Sequence, residues 1–438
     1  MKISTRRQFL KASAVVAGGT LLNKLDVGRF AHAAETHIIK LGLIGCGGRG
    51  AGAASDALRA DSNTVLVAAA DVFADRIETA INVLSKEYGP RIQVPPERRF
   101  SGLNGYRSVI EASDVVLIAC ASRFHAQYAL EAVRAKRHVF VEKPGAVDVA
   151  GVLTLLEADK LATQYGTGFL SGVTYRYHLG RREAVKRMQA GEIGQIVAIQ
   201  CTYLRAPYRL VERKPEWSEL EYQFRNWYHF TWLSGDDIPQ SLIHNLDSAL
   251  WTIGDVMPEA AYAMGGRSTH FQTSMGTSFD HHFVTYEFAS GLCIYGSCRT
   301  AFGCYGVTKD IYHGTKGRCC FPAMGQPFIA DLKGNVVWKA DPLPPDSTPY
   351  IHQHREFLQS IRAGKPLQRA KILADSTMVA VMGQLSAYTG KRLTWKETLD
   401  SKFAFPPHGE VTMQMEPPVK PGPDGIYPVA VPGHTKLL

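Results

Sequence analysis

The amino-acid sequence predicts an α/β protein: an N-terminal, doubly wound parallel sheet followed by a second α/β domain with an open, mostly antiparallel sheet. Three observations predict this fold. Apolar runs alternate with helical segments between residues 38 and 171, as they do in successive βα units. A glycine-rich loop follows the first apolar run directly. Farther along, residues 282–288, 292–298 and 307–313 alternate in polarity, which is typical of antiparallel strands with one solvated face.

The elements of the first domain are predicted in a regular order. Its strands fall at residues 38–44, 64–70, 114–119, 139–141 and 166–171, and its helices at residues 51–58, 73–87, 106–112, 124–136 and 149–165. The second domain is predicted to contain a first strand at residues 196–203 and helices at residues 179–190, 243–253, 354–363 and 371–388. We place the first domain at residues 34–173 and the second at residues 174–404, followed by an extended, Pro/Gly-rich tail at residues 405–438.

The first 33 residues have the order of a twin-arginine export signal. Arg6 and Arg7 precede an apolar stretch at residues 12–22, which is too short to cross a bilayer. Residues 31–33, Ala-His-Ala, fit a small-x-small cleavage site. The alternative is an amphipathic helix of the mature fold. We expect export to the periplasm by the twin-arginine machinery, with no membrane span after cleavage.

Charge and cysteine usage exclude several classes of protein. The formal net charge is +9, of which the predicted signal carries five, and no run of five Lys/Arg residues remains to bind nucleic acid. The eight cysteines contain no CxxC pair, and Asp280, His281 and His282 would alternate between strand faces, so we expect no metal. Whether Cys293, Cys298 and Cys304 form a bridge after export stays open.

The loop Gly45-Cys-Gly-Gly-Arg-Gly50 has the spacing of a dinucleotide-binding turn. Gly45 permits the tight turn, Gly47 lets the backbone approach a pyrophosphate, and Gly50 lets the helix pack on the strand. The pyrophosphate would lie at the N-terminus of the following helix. We expect Gly48 and Arg49, inside the same loop, to contact the cofactor as well.

Asp71 ends the second predicted strand, 21 residues after Gly50. A carboxylate at this place accepts hydrogen bonds from ribose hydroxyls and would repel a 2′-phosphate. The sequence therefore favours NAD over NADP, although Arg76 lies nearby. Asp71 would also be able to cap the helix that follows it.

Lys143 stands where a buried strand must end. The apolar run 139–141 is followed by Glu142, Lys143 and Pro144, and proline has no N–H for a sheet ladder. Open α/β sheets bind ligands at the carboxyl ends of their strands, where a lysine is able to orient a hydroxyl. The alternative is a surface lysine before a turn. We expect Ser122 and His125, which follow the preceding strand, and Glu142 to lie near the cofactor.

With Gly45–Gly50, Asp71, Ser122–His125 and Glu142-Lys143-Pro144 in this order, the chain resembles the Gfo/Idh/MocA oxidoreductases, which include the inositol dehydrogenases and glucose–fructose oxidoreductase. The resemblance implies an N-terminal Rossmann domain, a tightly held nicotinamide cofactor and, usually, a sugar or polyol substrate. It also implies a homo-oligomer formed through the open sheet face. Glucose–fructose oxidoreductase is likewise exported by the twin-arginine route with its cofactor already bound.

The resemblance extends to His244-Asn-Leu-Asp247 and implies that His244 reaches the nicotinamide and the substrate. An imidazole is suited to accept a hydroxyl proton, although a lone histidine is often only a packed residue. Asp247 shares a helix face with His244 and either fixes the imidazole tautomer or packs elsewhere. Many family members carry an aspartate four residues before this histidine. This chain has Gln240 there, and an amide only hydrogen-bonds, so we expect it to position the substrate.

Two aromatic segments leave two interpretations open. Tyr175-Arg-Tyr-His178 follows the last strand of the first domain, where the resemblance places residues facing the substrate. Arg176 and His178 either bind sugar hydroxyls or belong to packing at the domain junction. The segment 225–232, Arg-Asn-Trp-Tyr-His-Phe-Thr-Trp, either stacks on a sugar or forms an aromatic core.

Three functions are compatible with this sequence. The leading interpretation is an exported NAD-dependent oxidoreductase acting on a sugar, polyol or glycoside, in which Lys143 polarises the reacting hydroxyl and His244 accepts its proton. The second is a glycosidase that uses NAD for transient ring oxidation, which Gln240 and the export to a glycan-rich compartment favour. The third is a sugar-binding protein that keeps the scaffold without catalysis.

Overall fold

The structure is a computed structural model that describes residues 37–268, 276–322, 325–344 and 347–437. The predicted export signal, residues 1–33, lies outside the described residues. The described residues confirm the predicted fold class, with a parallel sheet in the first domain and a mostly antiparallel sheet in the second. In these described segments no helix combines the length and apolarity that a membrane crossing requires.

The first sheet has six parallel strands in the order β3-β2-β1-β4-β5-β6. Their bounds are β1 Ile39–Ile44, β2 Thr64–Asp71, β3 Arg99–Ser101, β4 Val115–Ile118, β5 His138–Val141 and β6 Phe169–Ser171. Strands β2 and β3 are added on one side of β1, and strands β4, β5 and β6 on the other side. The boundary between β1 and β4 is therefore the switch point, where doubly wound sheets bind ligands. The strand β3 was not predicted, because three residues are too few to show a periodic pattern.

Five helices cover the two faces of this sheet. They are α1 Gly48–Ala60, α2 Ala74–Tyr88, α3 Tyr106–Ala112, α4 His125–Arg134 and α5 Val149–Tyr165. The bounds of α5 match the prediction, because local signals set both ends. The Asp148 side chain accepts from the Gly151 N–H at 2.8 Å at the N-terminus, and Gly166 ends the helix in a left-handed conformation with φ +67°.

In the part of the chain that the structure describes, the second sheet has nine strands in the order β14-β13-β12-β11-β7-β10-β9-β8-β15. Their bounds are β7 Ile196–Arg205, β8 Ala260–Gly266, β9 His281–Glu287, β10 Cys293–Thr300, β11 Val307–Gly314, β12 Gly317–Pro322, β13 Phe328–Asp331, β14 Val336–Lys339 and β15 Leu393–Thr394. Neighbouring strands are antiparallel except for the central pair β7 and β10, which is parallel.

Among the described residues, seven further helices accompany the second sheet. They are α6 Leu179–Gln189, α7 Glu219–Arg225, α8 Thr231–Ser234, α9 Ile243–Thr252, α10 Pro349–Arg362, α11 Ala370–Thr389 and α12 Trp395–Ser401. A π-helical turn, Ile238–Leu242, leads directly into α9, a feature often found at functional sites. Helix α10 starts five residues earlier than predicted, since Thr348 caps it. It packs back on α1, and Arg362 pairs with Asp61 at 2.7 Å.

All eight cysteines are free thiols, including Cys293, Cys298 and Cys304. The Cys298 Sγ lies 3.5 Å from the His282 Nδ1 instead of facing a second thiol. No group of three or more metal-ligating side chains forms among the residues with described positions.

Candidate active site

A cavity of about 430 Å³ lies at the carboxyl edge of the parallel sheet. The first domain supplies the glycine loop, the end of β2 at Asp71, and the end of β4 at Cys120 and Ala121. The second domain supplies the opposite wall, formed by Arg209, Val211, Phe224, Arg225, Trp227 and Tyr228. The cavity therefore lies at the switch point of the sheet and is closed by the second domain.

The glycine loop has the shape that a pyrophosphate requires. Gly45 has φ +91°, and a Cβ on Gly50 would lie 1.8 Å from the Gly45 carbonyl oxygen, so both positions need glycine. A Cβ on Gly47 or Gly48 would meet nothing within 4 Å. The backbone of these two residues thus faces open space at the N-terminus of α1, where an anion is favoured. The residues present fit a dinucleotide.

Asp71 lies at the mouth of this cavity. Its Oδ2 accepts from the Cys46 N–H at 2.7 Å and its Oδ1 accepts from the Phe73 N–H at 3.0 Å. Burial raises the pKa of this carboxyl, and the two backbone donors oppose the rise. Each carboxylate oxygen keeps a second lone pair, which is available to a ribose hydroxyl. The N-cap residue of α2 is Phe73, and Asp71 contributes to that helix start only through the Phe73 N–H.

Arg49 and Glu142 join the glycine loop to the end of β5. The Arg49 Nε lies 3.1 Å from the Glu142 Oε1, and the Glu142 Oε2 accepts from the Lys143 N–H at 3.2 Å. Arg49 also pairs with Asp56 at 2.7 Å and lines the cavity. Burial raises the pKa of Glu142, which Arg49 and Lys143 partly counteract. Glu142 therefore links the two predicted cofactor-binding segments, which are the glycine loop and the end of β5.

The Lys143 Nζ donates to the backbone carbonyl of Gln240 in the π-helical turn. Two of its three N–H bonds are left for other partners. The Gln240 side chain is directed elsewhere, since its Nε2 donates to the Ser122 Oγ at 2.8 Å and to the Ser234 carbonyl. Gln240 and Ser122, predicted to contact substrate and cofactor, thus contact each other and fix the π-helical turn beside Lys143.

His244 lies in the first turn of α9, and its Nδ1 has no hydrogen-bond partner. The ring centroid of Tyr175 lies 5.1 Å away. Burial holds the pKa of His244 well below its usual value, and the charges of Lys143, Arg181 and Arg49 lower it further. Lys143 and His244 thus lie at the same π-helical turn, where the lysine charge favours the neutral imidazole.

The Asp247 carboxylate bonds to residues other than His244. It accepts from the Arg176 Nε at 3.0 Å and from the Ser376 Oγ at 2.8 Å, and it is fully buried. Arg176 also pairs with Asp255 at 2.6 Å. Of the two possibilities for Asp247, packing elsewhere is the one observed. The Arg176–Asp247 pair joins the domain junction to α9 and leaves little of either side chain for a sugar.

His178 and His125 also have structural partners. The His178 Nδ1 accepts from the Arg181 N–H at 3.3 Å and caps α6. The two ring nitrogens of His125 lie 2.7 Å from the Pro144 carbonyl and 3.0 Å from the Cys120 carbonyl. Burial lowers the pKa of His125 to about 4, and a neutral ring donates to only one of these carbonyls at a time. His125 thus joins the ends of β4 and β5.

A second, smaller cavity of about 30 Å³ adjoins the first, and Tyr228 lines both. Two buried atoms of its walls have no partner, the His229 Nε2 and the Asp237 Oδ2. Burial, together with the charge of Arg205, lowers the pKa of His229 to about 4, and Arg205 pairs with Asp237 at 2.7 Å. Sequence analysis did not single out these residues: His229 was named only as part of the aromatic segment 225–232, and Arg205 and Asp237 lie outside it.

The parallel sheet, the glycine loop and Asp71 together define a dinucleotide-binding domain of the Rossmann type. Residues 39–167 match the profile of the Gfo/Idh/MocA oxidoreductase family with an NAD-binding Rossmann fold. Residues 39–167 are therefore similar to the NAD-binding Rossmann domain of the Gfo/Idh/MocA oxidoreductases, in agreement with the resemblance that the motifs indicate.

Curated relatives include three kinds of enzyme. 2,7-Anhydro-N-acetylneuraminate hydratase of Escherichia coli is 28% identical, over 47% of this chain and 50% of its own. Inositol 2-dehydrogenase of Salmonella paratyphi B is 27% identical, over 50% of this chain and 55% of its own. Glycosyl hydrolase family 109 protein 2 of Shewanella sp. is 29% identical, over 48% of this chain and 48% of its own. The chain spans about half the length of each.

The fold of the whole molecule also has solved counterparts. Levoglucosan dehydrogenase, in complex with NADH and levoglucosan, aligns with a TM-score of 0.65 over 82% of this chain and 99% of its own, at 18% identity. This similarity concerns the fold, and covers both domains.

Proposed function

We propose that the protein oxidises or reduces a hydroxyl-bearing carbon of a sugar, polyol or glycoside with NAD held in the larger cavity. The observation that carries the proposal is the placement of Lys143 and His244 at the same π-helical turn: the Lys143 Nζ donates to the Gln240 carbonyl, and His244 follows the turn in α9 with its Nδ1 unpartnered. Titratable groups with perturbed pKa values, such as His244 with its lowered imidazole pKa, cluster at functional sites. Relatives that include a dehydrogenase of inositol support the substrate class.

NAD, when bound, supplies the hydride acceptor. Lys143 is held by the Gln240 carbonyl, so its remaining N–H groups are fixed in direction and suited to orient and polarise the reacting hydroxyl. The neutral His244 accepts the hydroxyl proton at a ring nitrogen during oxidation and returns it during reduction. Glu142 and Arg49 keep Lys143 aligned with the glycine loop.

The smaller cavity supports a polyhydroxylated substrate. Its two unpartnered atoms, the His229 Nε2 and the Asp237 Oδ2, are both buried, and such atoms cost free energy without partners. A hydroxyl both donates and accepts hydrogen bonds, so a substrate hydroxyl suits the polar walls of this cavity.

The test starts with the purified protein, from which the bound nucleotide is released by denaturation and identified. NADH absorbance is then followed with myo-inositol, D-glucose and levoglucosan as probes. We expect Lys143→Met and His244→Gln to lower turnover by about 100-fold or more while NADH still binds. The exposed Lys365→Met variant serves as the matched control. Full turnover in Lys143→Met would contradict the proposal and favour a site that binds sugar without this chemistry.

A second function is favoured by one observation. The position that holds an aspartate in many family members is occupied by Gln240, whose side chain is bound to Ser122 and Ser234, so no carboxylate stands there. The relatives that are named a hydratase and a glycosyl hydrolase point the same way. We infer that NAD-assisted glycoside cleavage is the alternative. Incubation of the protein with aryl glycosides, without added NAD, tests this alternative. Released phenol supports glycoside cleavage, and no release across a broad panel counts against it.

We also propose that the chain is exported by the twin-arginine route and acts in the periplasm. The support is the sequence of residues 1–33. The variant carrying Arg6→Lys and Arg7→Lys is expected to stay in the cytoplasmic fraction after cell fractionation. Equal amounts of wild-type and variant protein in the periplasm would contradict this proposal.

A homo-oligomer is proposed on the exposed face of the second sheet. Tyr262, Met264 and Phe283 lie there with 46%, 68% and 38% of their surface exposed, and clustered apolar side chains of this kind mark interfaces. Light scattering of the purified protein is expected to give more than one chain per particle, and Met264→Lys is expected to lower that number.

A further inference from the structure

We infer that the C-terminal segment 403–427 is a brace that holds the second-domain wall of the NAD cavity against the Rossmann domain, and thereby slows the release of the nucleotide. The inference rests on the NAD binding of the proposed function. It extends that function by assigning cofactor retention to a part of the chain that contributes no residue to the cavity itself.

The first end of the brace is attached to the Rossmann domain. The Ala150 N–H donates to the Phe403 carbonyl at 3.0 Å, and the Phe405 N–H donates to the Asp148 Oδ2 at 2.9 Å. The Arg123 guanidinium donates to the carbonyls of Phe405 and Pro407. These bonds fix the segment beside the start of α5, on the first-domain side of the cavity.

The second end is attached to helix α7. The Tyr427 hydroxyl donates to the Glu219 Oε1 at 2.6 Å and accepts from the Arg213 Nη2 at 3.1 Å. Its buried ring packs edge-on against Phe230 at 5.1 Å. The Val419 carbonyl accepts from the Gln223 Nε2 at 2.7 Å. A single segment thus bonds to both sides of the cavity.

Helix α7 is the wall that would have to move for the nucleotide to leave. Phe224 and Arg225, at its end, line the cavity. Arg225 stacks over the Phe73 ring at 3.9 Å and pairs with Asp75 at 3.3 Å, so this wall touches the Rossmann domain directly beside Asp71. The Asp75 carboxylate is largely exposed, and exposed ion pairs contribute little. The partly buried hydrogen bonds of the brace and its buried Tyr427 ring are therefore expected to decide how often the wall opens.

The experiment measures NADH release. Protein loaded with NADH is mixed with excess NAD⁺, and the loss of bound-NADH fluorescence gives the dissociation rate. Tyr427→Phe removes two hydrogen bonds but keeps the ring, and we expect it to raise the rate about three- to tenfold. Tyr427→Ala is expected to raise it further, because the packing against Phe230 is lost as well.

The control separates retention from general stability. Thr398→Ala removes a buried hydrogen bond to the Thr394 carbonyl, outside the cavity, and should lower the unfolding temperature without changing the NADH dissociation rate. If Tyr427→Ala does not fold, the NADH dissociation rates of Arg213→Met and Tyr427→Phe test the inference instead. An unchanged rate in folded variants would overturn the brace and leave the proposed function intact. A wild-type protein that binds no NADH would overturn both.

Discussion

Asp71 shows at the scale of one residue how a cofactor preference is built. Two backbone N–H groups fix its carboxylate, and its remaining lone pairs face the cavity. Because hydrogen bonds to a charged group are worth about 1.5–3 kcal/mol, the side chain is expected to contribute measurably to NAD affinity while opposing a 2′-phosphate.

Asp71→Asn keeps the shape but removes the charge. We expect it to weaken NADH binding by about tenfold to 100-fold and to bring the NADPH affinity closer to the NADH affinity, as measured by fluorescence titration of both nucleotides. Glu78→Gln, on the exposed face of α2, is the control. An unchanged ratio of the two affinities in Asp71→Asn would show that Asp71 does not set the preference.

At the scale of an element, the glycine loop and the start of α1 contain glycines required for two different reasons. Gly50 is required by the fold, since a Cβ there would strike the Gly45 carbonyl at 1.8 Å. Gly47 is required by the ligand, since its side-chain position is empty in the structure and faces the expected pyrophosphate. One loop thus offers a matched pair of substitutions.

Gly50→Ala is expected to lower the unfolding temperature markedly, because backbone must move to admit the methyl group. Gly47→Ala is expected to leave the unfolding temperature of the nucleotide-free protein unchanged and to weaken NADH binding by about tenfold or more. Thermal unfolding and NADH titration on both variants check this. Equal effects of the two substitutions on stability would contradict the distinction.

At the scale of the whole molecule, buried neutral histidines make stability depend on pH. His354 is buried on α10, with its ring tilted against Phe140 at a centroid distance of 4.5 Å, and burial lowers its pKa to about 3. The unfolded chain binds this proton near its ordinary pKa, about 6.5. Between these values the unfolded state holds more protons, so stability is complete above about pH 6.5 and is lost as the pH falls toward 3.

His354→Phe keeps an aromatic ring on Phe140 and removes the titration. Its unfolding free energy is expected to fall less steeply with decreasing pH than that of the wild type, by up to about 1.4 kcal/mol per pH unit. Denaturant unfolding from about pH 7 to about pH 4.5 measures the slope. The exposed His434→Phe is the control, and identical slopes for His354→Phe and wild type would contradict the assignment.

The sequence by itself determined the parallel domain, the glycine loop, Asp71 and the position of Lys143 at a strand end. Each depends on a local signal: the apolar period of a strand, the freedom of glycine, or the proline that ends β5. Local signals at Asp148 and Gly166 likewise set both ends of α5.

Only the tertiary structure decided which side chains meet. Gln240 is joined to Ser122, Asp247 to Arg176, and Tyr427 to Glu219, and the residues of each pair are far apart in sequence. The spacing of residues along the sequence does not predict such pairs, because the packing of separate elements selects each partner. For the same reason the unpartnered atoms of His229 and Asp237, and the path of the C-terminal brace, had no sequence signal of their own.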